Sequence, residues 1–144
     1  MSPEQKKPAK SVSIMCFHDE LCQVFNALMT AQSLLRAGSK VTIFFGSRGI
    51  NAVHQKKVDE LVCLPDQPEE EREAVLKKMD EMDLPDARLM LETLHFEGAT
   101  LLACPLNLSV FGMSESDLVL GVKAADPATY YKDVMMAADM NLSF

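Results

Sequence analysis

Four thiols and three imidazoles supply the reactive side chains: Cys16, Cys22, Cys63 and Cys104, with His18, His54 and His95. Zinc favours mixed Cys and His ligands, so Cys16, His18 and Cys22 invite a metal reading. No CxxC pair and no second ligand pair accompanies them, and no metal or other cofactor is expected. His54 and His95 lie beside apolar helix positions and read as packing histidines. Gly112-Met113-Ser114 lacks the pattern of a nucleophile elbow. Gly46-Ser47-Arg48-Gly49 carries two glycines and one cation. It reads as a tight turn, with a small anion nest as the alternative. Cys104-Pro105 stands apart, because a short apolar run, Ala99 to Ala103, leads directly into it. A thiol at the carboxyl end of a strand can face a cleft, and a thiolate is the nucleophile there. Proline removes one backbone donor at the same point and turns the chain out of the sheet.

These residues need a scaffold, and hydrophobic periodicity outlines one. Ser11 to Phe17 reads as a first strand, followed by a helix with Leu21, Val24, Phe25, Leu28 and Leu35 on one stripe. Asp19 and Glu20 suit the positive end of that helix, and Gly38 its termination. Lys40 to Phe45 is a continuous apolar strand of the kind covered on both faces. Ile50, Val53, Val58, Leu61 and Val62 suggest a helical stretch, and a second helix is expected around Glu71 to Met82. Asp83-Leu84-Pro85-Asp86 reads as a helix start with Asp83 as cap, and Gly98 ends that helix. A third strand covers Ala99 to Ala103. Ser114 to Asp117 forms a cap with an acid three residues on, and a short strand lies around Val122. Asp126-Pro127 opens a helix to about Ala138, and Met140, Leu142 and Phe144 alternate as a last strand.

The expected fold is a single three-layer α/β domain over residues 11–144. Its five-stranded, mostly parallel sheet carries helices on both faces, in the flavodoxin/Rossmann-like manner. Residues 1–10 read as a flexible tail. The strand ends bring three segments to one edge: Cys16 to Asp19, Gly46 to Gly49, and Cys104 to Gly112. No G-x-G-x-x-G follows the first strand, which argues against a dinucleotide site.

Composition narrows the partners. The 144 residues carry 14 basic and 21 acidic side chains, a net charge of -7 that argues against nucleic acid or an anionic membrane as main partner. No apolar run is long enough to span a bilayer and no secretory leader is evident, so a cytoplasmic protein with free thiols is expected. Ten methionines are many for one small interior, and point to a homo-oligomer, a trimer being favoured.

Four segments together resemble a known family: SVSIMCFHDEL, LLRAGSKVTIFFGSRGINAV, GATLLACPLNLSVFGM and LVLGVKAADPATYYKDVMMAADMNLSF. They are similar to the DsrE/DsrF-like sulfur-relay proteins, especially the branch sometimes labelled peroxiredoxin-like. The resemblance implies that Cys104 is the sulfur-carrying cysteine, holding a persulfide received from a donor protein and passed to an acceptor thiol. It also implies subunits that assemble, commonly as trimers or hexamers. Arg48 stands where the branch often has an aromatic TFWG-like turn, and is the candidate to steady an anion beside the thiol. Pro105 and Met113 complete the expected substrate-binding set. The alternative is a non-catalytic subunit or a small-molecule or partner-binding module, in which Met113 and its loop form an apolar contact surface.

Overall fold

The computed structural model describes residues 10–144. Five strands form one parallel sheet: β1 (Ser11–Cys16), β2 (Lys40–Phe45), β3 (Thr100–Ala103), β4 (Val122–Ala124) and β5 (Met140–Ser143). Their spatial order is β4-β3-β2-β1-β5, so the chain steps outward from β1 in one direction and returns to its other side only with β5. β1 and β2 pair in full register from Ser11 against Lys40 to Cys16 against Phe45. The expected tail at residues 1–10 lies outside the described residues except for Lys10.

The two sheet faces are covered unequally. Val12, Ile14 and Cys16 of β1, Val41, Ile43 and Phe45 of β2, and Leu101 and Ala103 of β3 point to one face. There they bury against α1 (Leu21–Arg36), through Val24, Ala27, Leu28 and Ala31, and against α3 (Ala87–Phe96), through Met90, Leu91 and Leu94. The i, i+3, i+4 and i+7 spacing of these residues makes the two inner stripes. α2 (Glu69–Glu81) has no fully buried residue and stands over a cavity of about 340 Å³ lined by Leu21, Phe25, Leu76 and Met79 and also by Asp59, Asp80 and Asp86. Three glutamates in its first turn complement the positive helix end.

The alternate residues, Ser13, Met15, Thr42, Phe44 and Leu102, point to the second face. Among the described residues its cover is one short segment: α5 (Pro127–Tyr130), capped by the Asp126 carboxylate, which runs into a π turn (Tyr131–Met135). Tyr130 is buried there and shares a hydrogen bond with Ser13, while its ring stacks on Phe44 at 4.4 Å and 15°. Such a stacked pair contributes about 1 kcal/mol beyond its buried area.

Several expected elements differ. The Ile50 to Val62 stretch is two 3-10 segments, Ser47–Val53 and Lys57–Glu60, because an isolated antiparallel bridge from His54 to Leu118 interrupts the helical path. Asp83 is not the cap of α3: it has φ +55°, and Asp86 caps instead, accepting from the Leu89 N–H at 2.8 Å. After β3 the chain does not simply leave the sheet. Pro105 sits at the first position of a helix, α4 (Pro105–Val110), where its missing N–H costs nothing. Among the described residues no helix is long and apolar enough to cross a membrane.

Candidate functional site

Cys104 caps α4 at the carboxyl end of β3, and its N–H donates to Phe45 O at 3.0 Å. It follows Leu102 on the second face, so strand alternation carries its thiol to the thinly covered side. The register makes a row of Met15, Phe44 and Leu102 across β1, β2 and β3, and Cys104 lies two residues along the chain from Leu102. Phe44, Cys104 and Tyr130 form a buried cluster, with Met15, Phe17, Leu102, Val134 and Met135 packed around it. Cys104 is 4% exposed. Beside it, Met15, Phe17 and Met135 also line an open apolar depression of about 690 Å³, completed by Tyr131, Met136, Ala138 and Asn141. This depression borders β1 through Met15 and β5 through Asn141, the two strands between which the strand order reverses.

Of the other expected site residues, Arg48 and Met113 lie elsewhere. The turn after β2 does approach α4, for the Ser47 N–H donates to Asn107 Oδ1 at 2.8 Å. Arg48 itself is 70% exposed and pairs with Asp19 at 3.2 Å. It lines a cavity of about 300 Å³ with Asp19, Glu20, Asn51 and Lys57, in which neither Cys104 nor Pro105 takes part. The two glycines of that turn serve close packing. A Cβ on Gly49 would collide with the Cys16 carbonyl, and one on Gly46 would meet the Phe17 ring at 2.7 Å. Met113 turns inward to the main core, where it is 9% exposed, instead of facing a partner. Its chain neighbours Val110 and Phe111 present the apolar surface there. Pro105 is half-buried beside Cys104. Only Pro105 of the three therefore adjoins the thiol.

The remaining thiols are on the opposite side of the sheet. Cys16 is buried in the main core, and burial pushes its thiol up to about 11. Cys22 is not a core residue: it is half-buried at the start of α1, and its Sγ lies 2.7 Å from Cys63 Sγ. Glu20 caps α1, accepting from the Gln23 N–H at 2.8 Å and, through its other oxygen, from the Leu64 N–H at 2.9 Å. Glu20, Cys22 and Cys63 thus bring three potential metal ligands within 4.8 Å of one another. His54 is a turn cap, its Nδ1 accepting from the Lys56 N–H at 3.0 Å.

The roof over Cys104 went unrecognised in the sequence, although alternation could have found part of it. Phe44 is two residues from Thr42 on the second face, and Tyr130 sits one helical turn past the Asp126-Pro127 start.

Residues 63–143 match the model of the DsrE/DsrF/DrsH-like family. The chain belongs to that family. The matched segment includes β3, Cys104, α4, β4, α5 and β5. Among solved structures, the ychN protein from E. coli is similar over 94% of this chain and 98% of its own, with TM-score 0.66 and 18% identity. A protein of unknown function from Methanobacterium thermoautotrophicum, MTH1491, is similar over 80% of each chain, with TM-score 0.57 and 15% identity. These likenesses carry the fold. No curated protein matches the chain.

Proposed function

We propose that this member of the DsrE/DsrF/DrsH-like family is a sulfur-relay protein that carries sulfane sulfur on Cys104. The observation that carries the reading is the position of that thiol. Among the four cysteines it alone belongs to the cluster on the second face, next to an apolar depression at the strand-order reversal. A soft, weakly hydrated persulfide suits such surroundings. The step balances as a displacement: Cys104 Sγ, as thiolate, attacks the outer sulfur of a donor persulfide R–S–SH. The donor S–S bond breaks, RS⁻ leaves, and Cys104–S–SH remains. An acceptor thiolate then attacks the outer sulfur and releases the Cys104 thiolate. Because Cys104 is 4% exposed, each transfer requires the segment bearing Tyr130 and Met135 to move off the thiol. Donor and acceptor are separate thiol proteins in this reading, the cytoplasm is its setting, and the second face is also the surface through which copies assemble.

A persulfide-labelling mass spectrum tests this. A sulfane donor should add one sulfur atom at Cys104; Cys104→Ser should lose the adduct and Cys22→Ser should keep it. Equal labelling of all four thiols contradicts the reading. A second reading, a binding module without turnover, is favoured by the same burial and by the size of the depression. It requires an apolar ligand that binds with Cys104 unmodified and binds equally well to Cys104→Ser.

A further inference from the structure

We propose that Cys22 and Cys63 form a dithiol site that low-molecular-weight disulfides oxidise, tying the start of α1 to the segment that carries α2. The geometry is prepared from both sides. The Leu21 N–H donates to Val62 O at 2.9 Å, and the Leu64 N–H donates to Glu20 Oε1 at 2.9 Å. The residues flanking each cysteine are therefore bonded to the residues flanking the other, and the two sulfurs meet 2.7 Å apart across 41 residues of chain. A covalent bond of about 2.0 Å is a short further approach from there. Leu64 holds φ +51°, a conformation that keeps its N–H on Glu20 and Cys63 turned inward.

A metal is the competing occupant, and the surroundings disfavour it. Both Glu20 oxygens already serve backbone N–H groups. The Cys22 thiol is pushed up to about 12 by burial, by its hydrogen bond with Cys63 and by the Glu20 charge. A divalent ion that took Glu20 as a ligand would have to pull it from its cap. A disulfide is neutral and leaves the cap in place.

The chemistry runs in two exchanges. Cys22, the more accessible sulfur, attacks a disulfide RSSR through its small thiolate fraction, after losing its proton to solvent; RS⁻ leaves and takes up a proton, giving Cys22–S–S–R and RSH, and the raised thiol makes this step slow. Cys63 then attacks Cys22 Sγ, forming the Cys22–Cys63 bond and releasing the second RSH. Two protein thiols lose two electrons and RSSR gains them. The ring so closed spans residues 22–63, and its Cys63 end leads into the segment before α2 (Glu69–Glu81). Arg72 of α2 and Cys63 line the same cavity of about 200 Å³, and the Arg72 Nε is buried there without a hydrogen-bond partner.

The test uses the intact chain with excess glutathione disulfide, followed by mass spectrometry and peptide mapping. The expected product lacks two hydrogens, carries no glutathione on Cys22 or Cys63, and yields a cross-linked Cys22–Cys63 peptide. It should melt about 10 °C above the reduced chain, the gain for a ring of this size. Cys63→Ser should stop at a stable glutathione adduct on Cys22, and Cys104→Ser should cross-link as the parent does. A lasting adduct on Cys22 in the parent chain overturns the proposal. So does a stoichiometric zinc ion that shields both thiols from alkylation and survives glutathione disulfide. A cross-link that forms with an unchanged or lower Tm overturns the tethering role.

Discussion

Tyr130 shares a buried cluster with Phe44 and Cys104, and in the proposed reading it bears on both the stability of the second face and access to the thiol. Its hydroxyl bonds Ser13 and its ring lies on Phe44, so the two functions can be separated by mutation. Tyr130→Phe leaves the buried Ser13 hydroxyl without this partner and should cost about 1–2 kcal/mol in chemical denaturation, with Cys104 still covered. Tyr130→Ala removes the ring. Each 1.4 kcal/mol taken from the cost of local opening raises the open population about tenfold, so alkylation of Cys104, followed by peptide mapping, should accelerate by at least that factor. Identical alkylation rates in the two variants would show that Tyr130 is not the gate. The candidate thiol was legible from local sequence because its strand and its proline are contiguous with it. Arg48 belongs beside that thiol only if the turn after β2 faces the same cleft, which requires neighbouring strands. The strands are neighbours, yet Asp19, on the loop after β1, takes the guanidinium to the other side of the turn. A side chain of that length chooses among charges within reach, and sequence does not rank them.

At the level of elements, the caps and close approaches decide what the chain tolerates. Glu20 holds α1 and the Cys63 loop together. Burial works against its carboxylate, but the N–H groups of Leu64 and Gln23 outweigh it and hold the group below the ordinary glutamate value. Folded below unfolded means that the ionised cap stabilises fully above the unfolded value, about 4.3, and that this contribution is lost as pH falls through the lower folded value. Glu20→Gln should thus lie below the parent in urea stability near neutrality and converge with it in acid; a gap independent of pH would contradict this. Gly49→Ala should destabilise by about 1–3 kcal/mol, since its Cβ meets backbone and not a movable side chain. A thermal melt that leaves Tm unchanged would show that the turn has room to yield. β2 was readable to the residue because both its faces are buried and its ends are marked by Ser39 and Gly46. α4 was not, since a proline after a strand reads as a break until its place at the first helical position is seen. The π turn after Tyr130 has no sequence signature of its own, and the Cys22–Cys63 meeting joins irregular backbone across 41 residues, beyond any local period.

The whole molecule presents an imbalance: one sheet face carries α1 and α3, the other a single short segment flanked by exposed Tyr131, Met136 and Met140. Exposed apolar surface of this kind is what an interface between copies would use. The expected assembly is a trimer, and Met136→Lys should weaken it, since Met136 is 82% exposed and its replacement disturbs no interior. Light scattering that returns the 15.9 kDa monomer for the parent chain at micromolar concentration would contradict the expectation. The strand order has a consequence for synthesis. β1 emerges from the ribosome first among the strands, yet one of its edges is completed only by β5, where Asp139 bonds Ser11 across 128 residues. At about 5–20 residues per second, that edge waits roughly ten seconds for its partner. During that interval the nascent chain offers an unsatisfied row of backbone groups next to Met15 and Phe17, so the vulnerable period for aggregation is set by translation speed and ends when the last strand docks.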